Sequence, residues 1–531
     1  MQRTFSLADL FELVAGAVPE RLAIICGDFS ETYAELDERA NRLAAFLQQQ
    51  GVGPGDTVGL QLYNGPEYLE GFLAACKLSA VPVNINYRYV ADELRYIYSN
   101  ARLSALLCSN EIDPVVDSLI GEFPGIKVRL SSGSAYEAVL AATLPDYAVP
   151  ARSDDDISLL YTGGTTGMPK GVVWPHRALF FGALGGGGSF RAQGPISTPE
   201  EIVEVVLAGH PLRYFAVAPL MHGAAMWATL ISLFAGLTVL IRPELEFDAE
   251  SIWNLAEREQ ANIISIVGDA MAMPLVQALQ ANKGRWDLSK VVHFGSGGGL
   301  FSAHLQDQLR AFLPNAKVID SIGSSEGGVF GNGQKPTQGD GFIRLEPRPD
   351  LAVMAEDRSR FVGPGERGLL VRVGHVPRGY FGDPQKSAET FFLVEGQRCA
   401  NTGDMARVEE DGGIVVLGRG SQCINTGGEK VFPEEVEEIL HKHPSVEDAL
   451  VVGVADERWG QRVSAVISLK PHAEVSVPDL KAFCREYLAG YKVPKTLLLV
   501  EKVSRSAAGK ADYRWARACI EQADATHAID V

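Results

Sequence analysis

Glycines, hydroxyls and one lysine crowd a single turn in Tyr161-Thr-Gly-Gly-Thr-Thr-Gly-Met-Pro-Lys-Gly171, a combination suited to holding phosphate. Gly163, Gly164 and Gly167 give the backbone conformations closed to other residues and let it come close to a ligand. The N–H groups so exposed, with Thr162, Thr165 and Thr166, can donate to phosphate oxygens, and Lys170 adds a point charge. The run is not a Walker A loop, because Lys170 is followed by Gly171 and no hydroxyl stands there for magnesium. A plain glycine-rich turn after a buried strand at 157–161 is the alternative, but Thr-Thr-Gly-x-Pro-Lys-Gly is a long and rare string.

Such a turn needs strands to hold it. Apolar runs at 57–62, 104–108, Ile263–Ile266, 317–319 and 449–454 read as buried strands. They alternate with helical patterns over Tyr33–Gln49 and 247–260, which predicts an α/β protein with mixed, largely parallel sheets. Ser302 reads as the N-cap of a helix that ends before Pro314. Pro433, Glu434 and Glu435 open another, and His441, Lys442 and His443 close it, with Val436, Ile439 and Leu440 as its buried stripe. A strand at 413–417 runs into the glycine-flanked turn Gly418-Arg-Gly-Ser421, after which about 110 residues remain. The chain therefore divides into a large domain, residues 1–418, and a small α+β domain, residues 419–531. Residues 193–213 read either as a surface insertion or as a cover over a pocket, and the tail after Arg517 as loose.

At 531 residues the chain is too long for one ordinary core, and 46% hydrophobic with 21% charged residues is a globular composition. A net charge of −18 argues against nucleic acid as a partner. Only the stretch 481–517 is locally basic, with nine lysines and arginines against three acids, and it is where anionic substrates would be drawn in. No apolar run approaches the roughly 18 residues needed to span a bilayer, so no integral membrane association is expected. Seven scattered cysteines with no Cys-x-x-Cys pair read as reduced thiols in a cytoplasm and suggest no zinc site.

Further motifs follow in a fixed order: Thr32-Tyr-Ala-Glu-Leu-Asp-Glu-Arg-Ala-Asn41, Pro219-Leu-Met-His-Gly223, Gly323-Ser-Ser-Glu326, Thr402-Gly-Asp404, Gly418-Arg419, Gly427-Gly-Glu-Lys430 and Ala508-Gly-Lys510. With the phosphate turn, this series resembles the adenylate-forming superfamily of acyl-CoA synthetases, luciferases and peptide-synthetase adenylation domains. The resemblance covers nearly the whole chain. Ser321-Ile-Gly-Ser-Ser-Glu326, Gly418-Arg-Gly-Ser421 and Gly509-Lys-Ala-Asp-Tyr-Arg-Trp515 are most similar to actinobacterial acyl-CoA synthetases acting on fatty acids and steroid side chains.

The resemblance implies an ATP-dependent, AMP-forming acid–CoA ligase with ATP, Mg²⁺ and coenzyme A as its cofactors and co-substrates. A carboxylate attacks the α-phosphate of ATP, and the thiol then displaces AMP. Both steps build charge on oxygens, which calls for positioned cations, donors and a metal. On that pattern Lys510 bridges the carboxylate and α-phosphate, Thr166 and Lys170 serve the phosphates, and Ser325 helps hold the acyl and phosphate groups. Glu326 and Thr162 are the expected metal ligands. Gly298, Ser321 and Ile322 flank adenine, although Ile322 departs from the family's usual aromatic residue. Asp404 accepts from the ribose hydroxyls, and Arg419 holds the same sugar or a phosphate. Gly427, Gly428 and Lys430 belong to the loop that meets the thiol after the small domain rotates about Ser421, where the family commonly has Asp or Lys. His222, Gly297 and Gly323 line the substrate pocket, and Trp174-Pro-His176 either lines its entrance or is core.

Gly295 to Gly299 leave space along the pocket wall, and Met221, Met226 and Trp227 offer it apolar surface. That suits a medium- or long-chain fatty acid or a bulky steroid side-chain acid. Loading of a carrier protein and a non-catalytic nucleotide-binding role are the competing readings, and the resemblance carries the expectation of a homodimer.

Overall fold

Thr32 accepts from the Glu35 amide at 3.2 Å while the Glu35 carboxylate accepts from the Thr32 amide at 2.7 Å, and this reciprocal cap starts the helix Tyr33–Gln49 at the predicted residue. The computed structural model describes residues 3–162, 168–191, 193–298, 301, 303–333, 343–419, 424–431, 433–504 and 512–529. Two large sheets carry the α/β expectation. One has seven strands, parallel from Ile157–Thr162 through Val81–Asn84, Thr57–Gln61 and Leu103–Cys108 to Val128–Ser131, with Lys170–Pro175 antiparallel to the first of these. The other has eight, with a parallel centre of Thr238–Ile241, Arg213–Ala216, Ile263–Ile266, His293–Gly297 and Lys317–Ser324.

The helices Leu7–Ala17, Pro66–Lys77 and Gly223–Phe234 bury their apolar sides in one core shared by both sheets, with Leu10, Leu69, Leu73 and Leu233 fully buried there. A third sheet, antiparallel, runs through Gln397–Val408 and Ile414–Arg419. The next described strand, Ile424–Thr426, belongs to a separate sheet whose centre is the pair Val446–Asp456 and Gly460–Leu469. The helix Pro433–Lys442 covers that sheet with Val436, Ile439 and Leu440 buried, as its stripe predicts. Ser302, read as a cap, lies outside the described residues; the helix Ala303–Phe312 follows it.

Two expectations change, and residues 193–213, left open between an insertion and a cover, contain the helix Ile202–Ala208, which buries Ile202 and Val206 in the main core beside the helix Leu7–Ala17. The tail after Arg517 is not loose, because the helix Tyr513–Ile529 buries Ala516 and Ile520 against Leu450, Val452 and Val466. Its start is fixed by Asp512, whose carboxylate accepts from the Trp515 amide at 2.9 Å. The other helix, expected at 247–260, is shorter, Ala249–Arg258, since Asp248 caps it through the Glu250 amide at 3.0 Å.

Candidate functional site

A cavity of about 360 Å³ lies between the face of the eight-stranded sheet and the helix Gly223–Phe234. Register aligns its floor in ranks. Tyr214, Ile263 and His293 stand side by side in the first, Ser265, Gly295 and Ile319 in the second, and Gly297 with Ser321 in the third. Every second residue of a strand faces the same side, so the small residues at 295 and 297 leave the space that the sequence predicts. The roof is Ala224, Trp227, Ala228 and Ile231, spaced for one face of the helix. Met226 lies on another face of that helix; it is buried in the core near Trp174 and does not line this cavity, unlike Met221. None of the described residues of 193–213 lines it either.

The phosphate turn closes a hairpin: Thr162 pairs with Lys170 across antiparallel strands. Gly163, Gly164, Thr165, Thr166 and Gly167 lie outside the described residues. Asn84 holds the base of the hairpin to the cavity. Its amide oxygen accepts from the Tyr161 amide at 2.6 Å, and its amide nitrogen donates to the Met221 carbonyl at 2.7 Å. No motif marks Asn84; only its place at the end of the buried strand Val81–Asn84 hints at it.

Thr162, Ser325, Ser321, Ile322, Gly323, Gly297 and Gly298 all line the cavity. Gly323 is required there by contact, since a Cβ on it would stand 2.5 Å from the Gly328 carbonyl oxygen. Trp174 donates to the Ser325 carbonyl at 2.9 Å and stacks edge-on against Trp227. Glu326 accepts from the Tyr380 hydroxyl at 3.0 Å, and the same ring lies 5.5 Å from the Lys170 ammonium. Burial lowers the Lys170 pKa, while Asp383, 3.8 Å away, works against that. Tyr380 was not singled out by the sequence reading.

His222 caps the roof helix at its N-terminus, and its Nε2 lies 2.9 Å from Glu429. Glu429 also pairs with Arg88 at 3.1 Å. Burial alone would raise the Glu429 carboxyl, but His222, Arg88 and Lys492 outweigh it and hold it below the usual glutamate value. The small domain thus reaches the cavity through Gly428 and Glu429, both of which line it. Gly428 has φ +84°, and a Cβ there would fall 1.7 Å from Val267 Cγ1, so only glycine fits this approach. Gly427 precedes it, also at positive φ, and the strand Glu429–Val431 carries Lys430 onward.

Asp404 and Arg419 are register partners on neighbouring strands of the third sheet, and Asp404 does not line the cavity. Lys510 and Ser421 lie outside the described residues. His176 is a core residue. It is fully buried, Ser158 stands 3.2 Å from its Nε2, the Leu7 amide donates to its Nδ1 at 3.3 Å, and burial lowers its pKa to about 3.

This cavity, with an oxygen-bearing hairpin at its edge and a second domain pressed to it, matches a known class. The AMP-binding enzyme family matches residues 11–381, and the AMP-binding enzyme C-terminal domain matches residues 435–510. The chain belongs to the AMP-binding enzymes. A medium/long-chain-fatty-acid–CoA/3-oxocholest-4-en-26-oate–CoA ligase of Mycobacterium marinum is 41% identical over 100% of this chain and 99% of its own length. A 3-oxocholest-4-en-26-oate–CoA ligase of Rhodococcus rhodochrous is 40% identical over 96% of this chain and 95% of its own. Among solved structures, the amide bond synthetase McbA from Marinactinospora thermotolerans shares the fold with a TM-score of 0.80, at 21% identity over 96% of this chain and 99% of its own.

Proposed function

We propose that the protein is an AMP-forming acid–CoA ligase whose acid is a medium- or long-chain fatty acid or a steroid side-chain acid. The observation that carries this is the apolar cavity itself, which meets the phosphate hairpin on one side and the Gly428–Glu429 loop of a second domain on another. The relatives' names supply the substrate class, and the small residues at 295 and 297 under an apolar roof accommodate it.

In the first step, the acid's carboxylate sits by Gly297, Gly323 and His222, and the hairpin from Thr162 to Lys170, with Gly163, Gly164, Thr165, Thr166 and Gly167, holds the phosphates. Ser325 positions the reacting groups. Ser321, Ile322 and Gly298 face the base, and Asp404 with Arg419 the ribose. Lys510 stabilises the charge that builds between carboxylate and α-phosphate. In the second step Gly427, Gly428 and Lys430 guide the thiol of coenzyme A, after the small domain (419–531) turns against the large one (1–418) about Ser421.

Magnesium fits these residues. Glu326 gives one carboxylate and Thr162 a hydroxyl, a hard-oxygen set that needs substrate phosphates to complete it. When bound, the ion neutralises phosphate charge. Among the described residues no helix is long and apolar enough to cross a membrane. The six cysteines described are free thiols, which supports a reducing, cytoplasmic setting. A homodimer rests on family likeness alone.

The test is detection of CoA thioesters by mass spectrometry after incubation with ATP, Mg²⁺, CoA and acids from acetate through palmitate to steroid side-chain acids. A thioester from an apolar acid, lost on chelating the metal, is expected. Acyl-AMP without thioester would move the acceptor to a carrier protein. Neither product, with no acid-dependent ATP–PPi exchange, would leave a nucleotide-binding protein.

A further inference from the structure

Strand register brings Tyr380 to the phosphate hairpin. Gly379–Tyr380 pairs antiparallel with Lys170–Pro175, and Tyr380 stands opposite Val172. Opposed residues share a face, and so do alternate residues of one strand, so the Tyr380 ring lies diagonally beside Lys170. The ring centroid is 5.5 Å from the Lys170 ammonium, and the hydroxyl donates to Glu326 Oε1 at 3.0 Å. One side chain thus touches both the cation at the foot of the hairpin and the carboxylate expected to hold the metal.

The chain on either side of Tyr380 fixes it there. Its amide donates to the Ser387 hydroxyl at 2.8 Å, and its ring packs edge-on against Phe391 with centroids 5.4 Å apart. The Phe381 amide donates to the Gly171 carbonyl at 2.7 Å. Asp383 caps the helix Pro384–Thr390 through the Lys386 amide at 2.9 Å and turns its other oxygen to Lys170 at 3.8 Å. Lys170 lies near enough for the Glu326 charge to act on it, yet it pairs with Asp383 and not with Glu326 among the described residues. A direct pair of Lys170 with Glu326 would have to break before a phosphate and an ion could enter. A ring face and a phenol hydroxyl are weaker partners, readily exchanged for a ligand.

We propose that Tyr380 is a positioning residue that keeps Lys170 and Glu326 apart and aimed at ATP, the ring holding the ammonium for a phosphate and the hydroxyl holding the carboxylate for the metal on that phosphate. This deepens the ligase reading above and rests on it for the roles of Lys170 and Glu326. Ring and hydroxyl do separable jobs. Removing the hydroxyl alone lets the Glu326 carboxylate turn, which weakens only the metal-dependent part of ATP binding. Removing the ring as well lets Lys170 close on Glu326, which ties the two charges to each other and weakens ATP binding with or without metal.

The test uses Tyr380→Phe, Tyr380→Leu and Glu326→Gln in the full-length protein. Titration calorimetry measures ATP affinity in EDTA and in saturating Mg²⁺, and acid-dependent ATP–PPi exchange gives kcat and KM for ATP. Mg²⁺ should tighten ATP binding to wild type. Tyr380→Phe should keep the EDTA affinity within about twofold and lose about tenfold of the gain from Mg²⁺, raising KM more than it lowers kcat. Tyr380→Leu should lose about tenfold in EDTA as well. Glu326→Gln should lose the gain from Mg²⁺, and adding Tyr380→Phe should then change it no further, a coupling that a merely structural phenol would not show. A wild-type gain in Tyr380→Phe, equal EDTA affinities in the Phe and Leu variants, or additive losses in the double variant would overturn the inference. So would a wild type that gains nothing from Mg²⁺. The expected affinities without any acid-dependent exchange would uphold the role of Tyr380 while the ligase reading fails. If Tyr380→Leu does not fold, Tyr380→Phe, which keeps the ring against Phe391, decides together with its Glu326→Gln combination.

Discussion

Two of the buried charge networks among the described residues are closed to different degrees. Inside the large domain, Lys77 is fully buried and lies 3.0 Å from Glu12 and 2.8 Å from Asp37. Arg152 joins the same network through Asp9 at 3.0 Å and Glu12 at 2.8 Å. At the seam between the domains, Glu429 meets His222 and Arg88, the second of them an exposed side chain, and the buried pair of Lys492 with Glu93 stands at 2.7 Å. Lys77, Glu12 and Asp37 of the first set lie on three packed helices. The second set is flanked by a cavity and by a glycine touching Val267. The inner network is enclosed by helices of the large domain, whereas the seam network borders a cavity.

Breaking the inner network should have the largest effect. Lys77→Met leaves Glu12, Asp37 and Arg152 with one cation too few, at a cost of about 3–5 kcal/mol. Urea unfolding would read it directly. Acyl-AMP and thioester formation should fall together, since only the folded fraction changes. An unchanged midpoint would place these charges in effective contact with water and remove the contrast.

Next comes the seam. In Gly428→Ala a methyl group must enter space held by Val267 Cγ1, 1.7 Å from the ideal Cβ position, at φ +84°. The arrangement seen here should become inaccessible. Thioester formation should fall about 100-fold, or about 2.7 kcal/mol, and acyl-AMP formation far less. Rapid-quench measurement of the two half-reactions separates these outcomes, and equal losses would mean that this contact serves both arrangements of the domains.

The same contrast explains what the sequence disclosed. Periodicity and capping residues located the helix Tyr33–Gln49 and the strand Ile263–Ile266, because local pattern alone determines where such elements lie. The glycines at 295 and 297 announced an open pocket wall, and the structure has one. Partners far apart in the chain were not legible. His222 and Glu429 were each in a quoted motif, yet their 2.9 Å contact joins residues 207 apart and depends on how the domains dock. Asn84 and Tyr214 carry no motif, since one amide or phenol in a buried strand looks like any other until register sets its neighbours. His176 was ambiguous for the opposite reason, a histidine beside a conspicuous tryptophan that proves to be core. The tail helix was missed because its buried residues, Ala516 and Ile520, are spaced among charges that read as solvent-loving.

Acid should sharpen the comparison by weakening the interior first. His176 has its pKa lowered from 6.5 to about 3 by burial, so the unfolded chain takes up a proton below 6.5 that the folded chain refuses. Its contribution is complete above 6.5 and declines as pH falls toward 3. Glu12 follows later: burial opposes its ionisation, but Lys77, Arg152 and Arg3 pull it down to about 2, so its share is lost only below 4.5. Between pH 7.5 and pH 5 His176 alone should account for a loss of about 2 kcal/mol, and His293 and His375, whose pKa values burial also lowers, add to it. Denaturant midpoints at the two pH values measure it. A flat profile over that range would mean His176 binds its proton in the folded state.

The smallest effect should come from Glu429→Gln, and it bears most directly on the seam. Glutamine keeps the size and one acceptor for His222 but removes the charge that faces Arg88, His222 and Lys492. Because Arg88 is exposed and screened by solvent, the change should cost about 1 kcal/mol, or roughly fivefold in thioester formation. Raising the salt concentration should shrink the difference between wild type and variant, as screening already weakens the pair. Acyl-AMP formation should stay within about twofold. A fivefold loss in acyl-AMP formation instead would show that Glu429 orders His222 for the first step, and the seam would then belong to the adenylation arrangement as well as to this one.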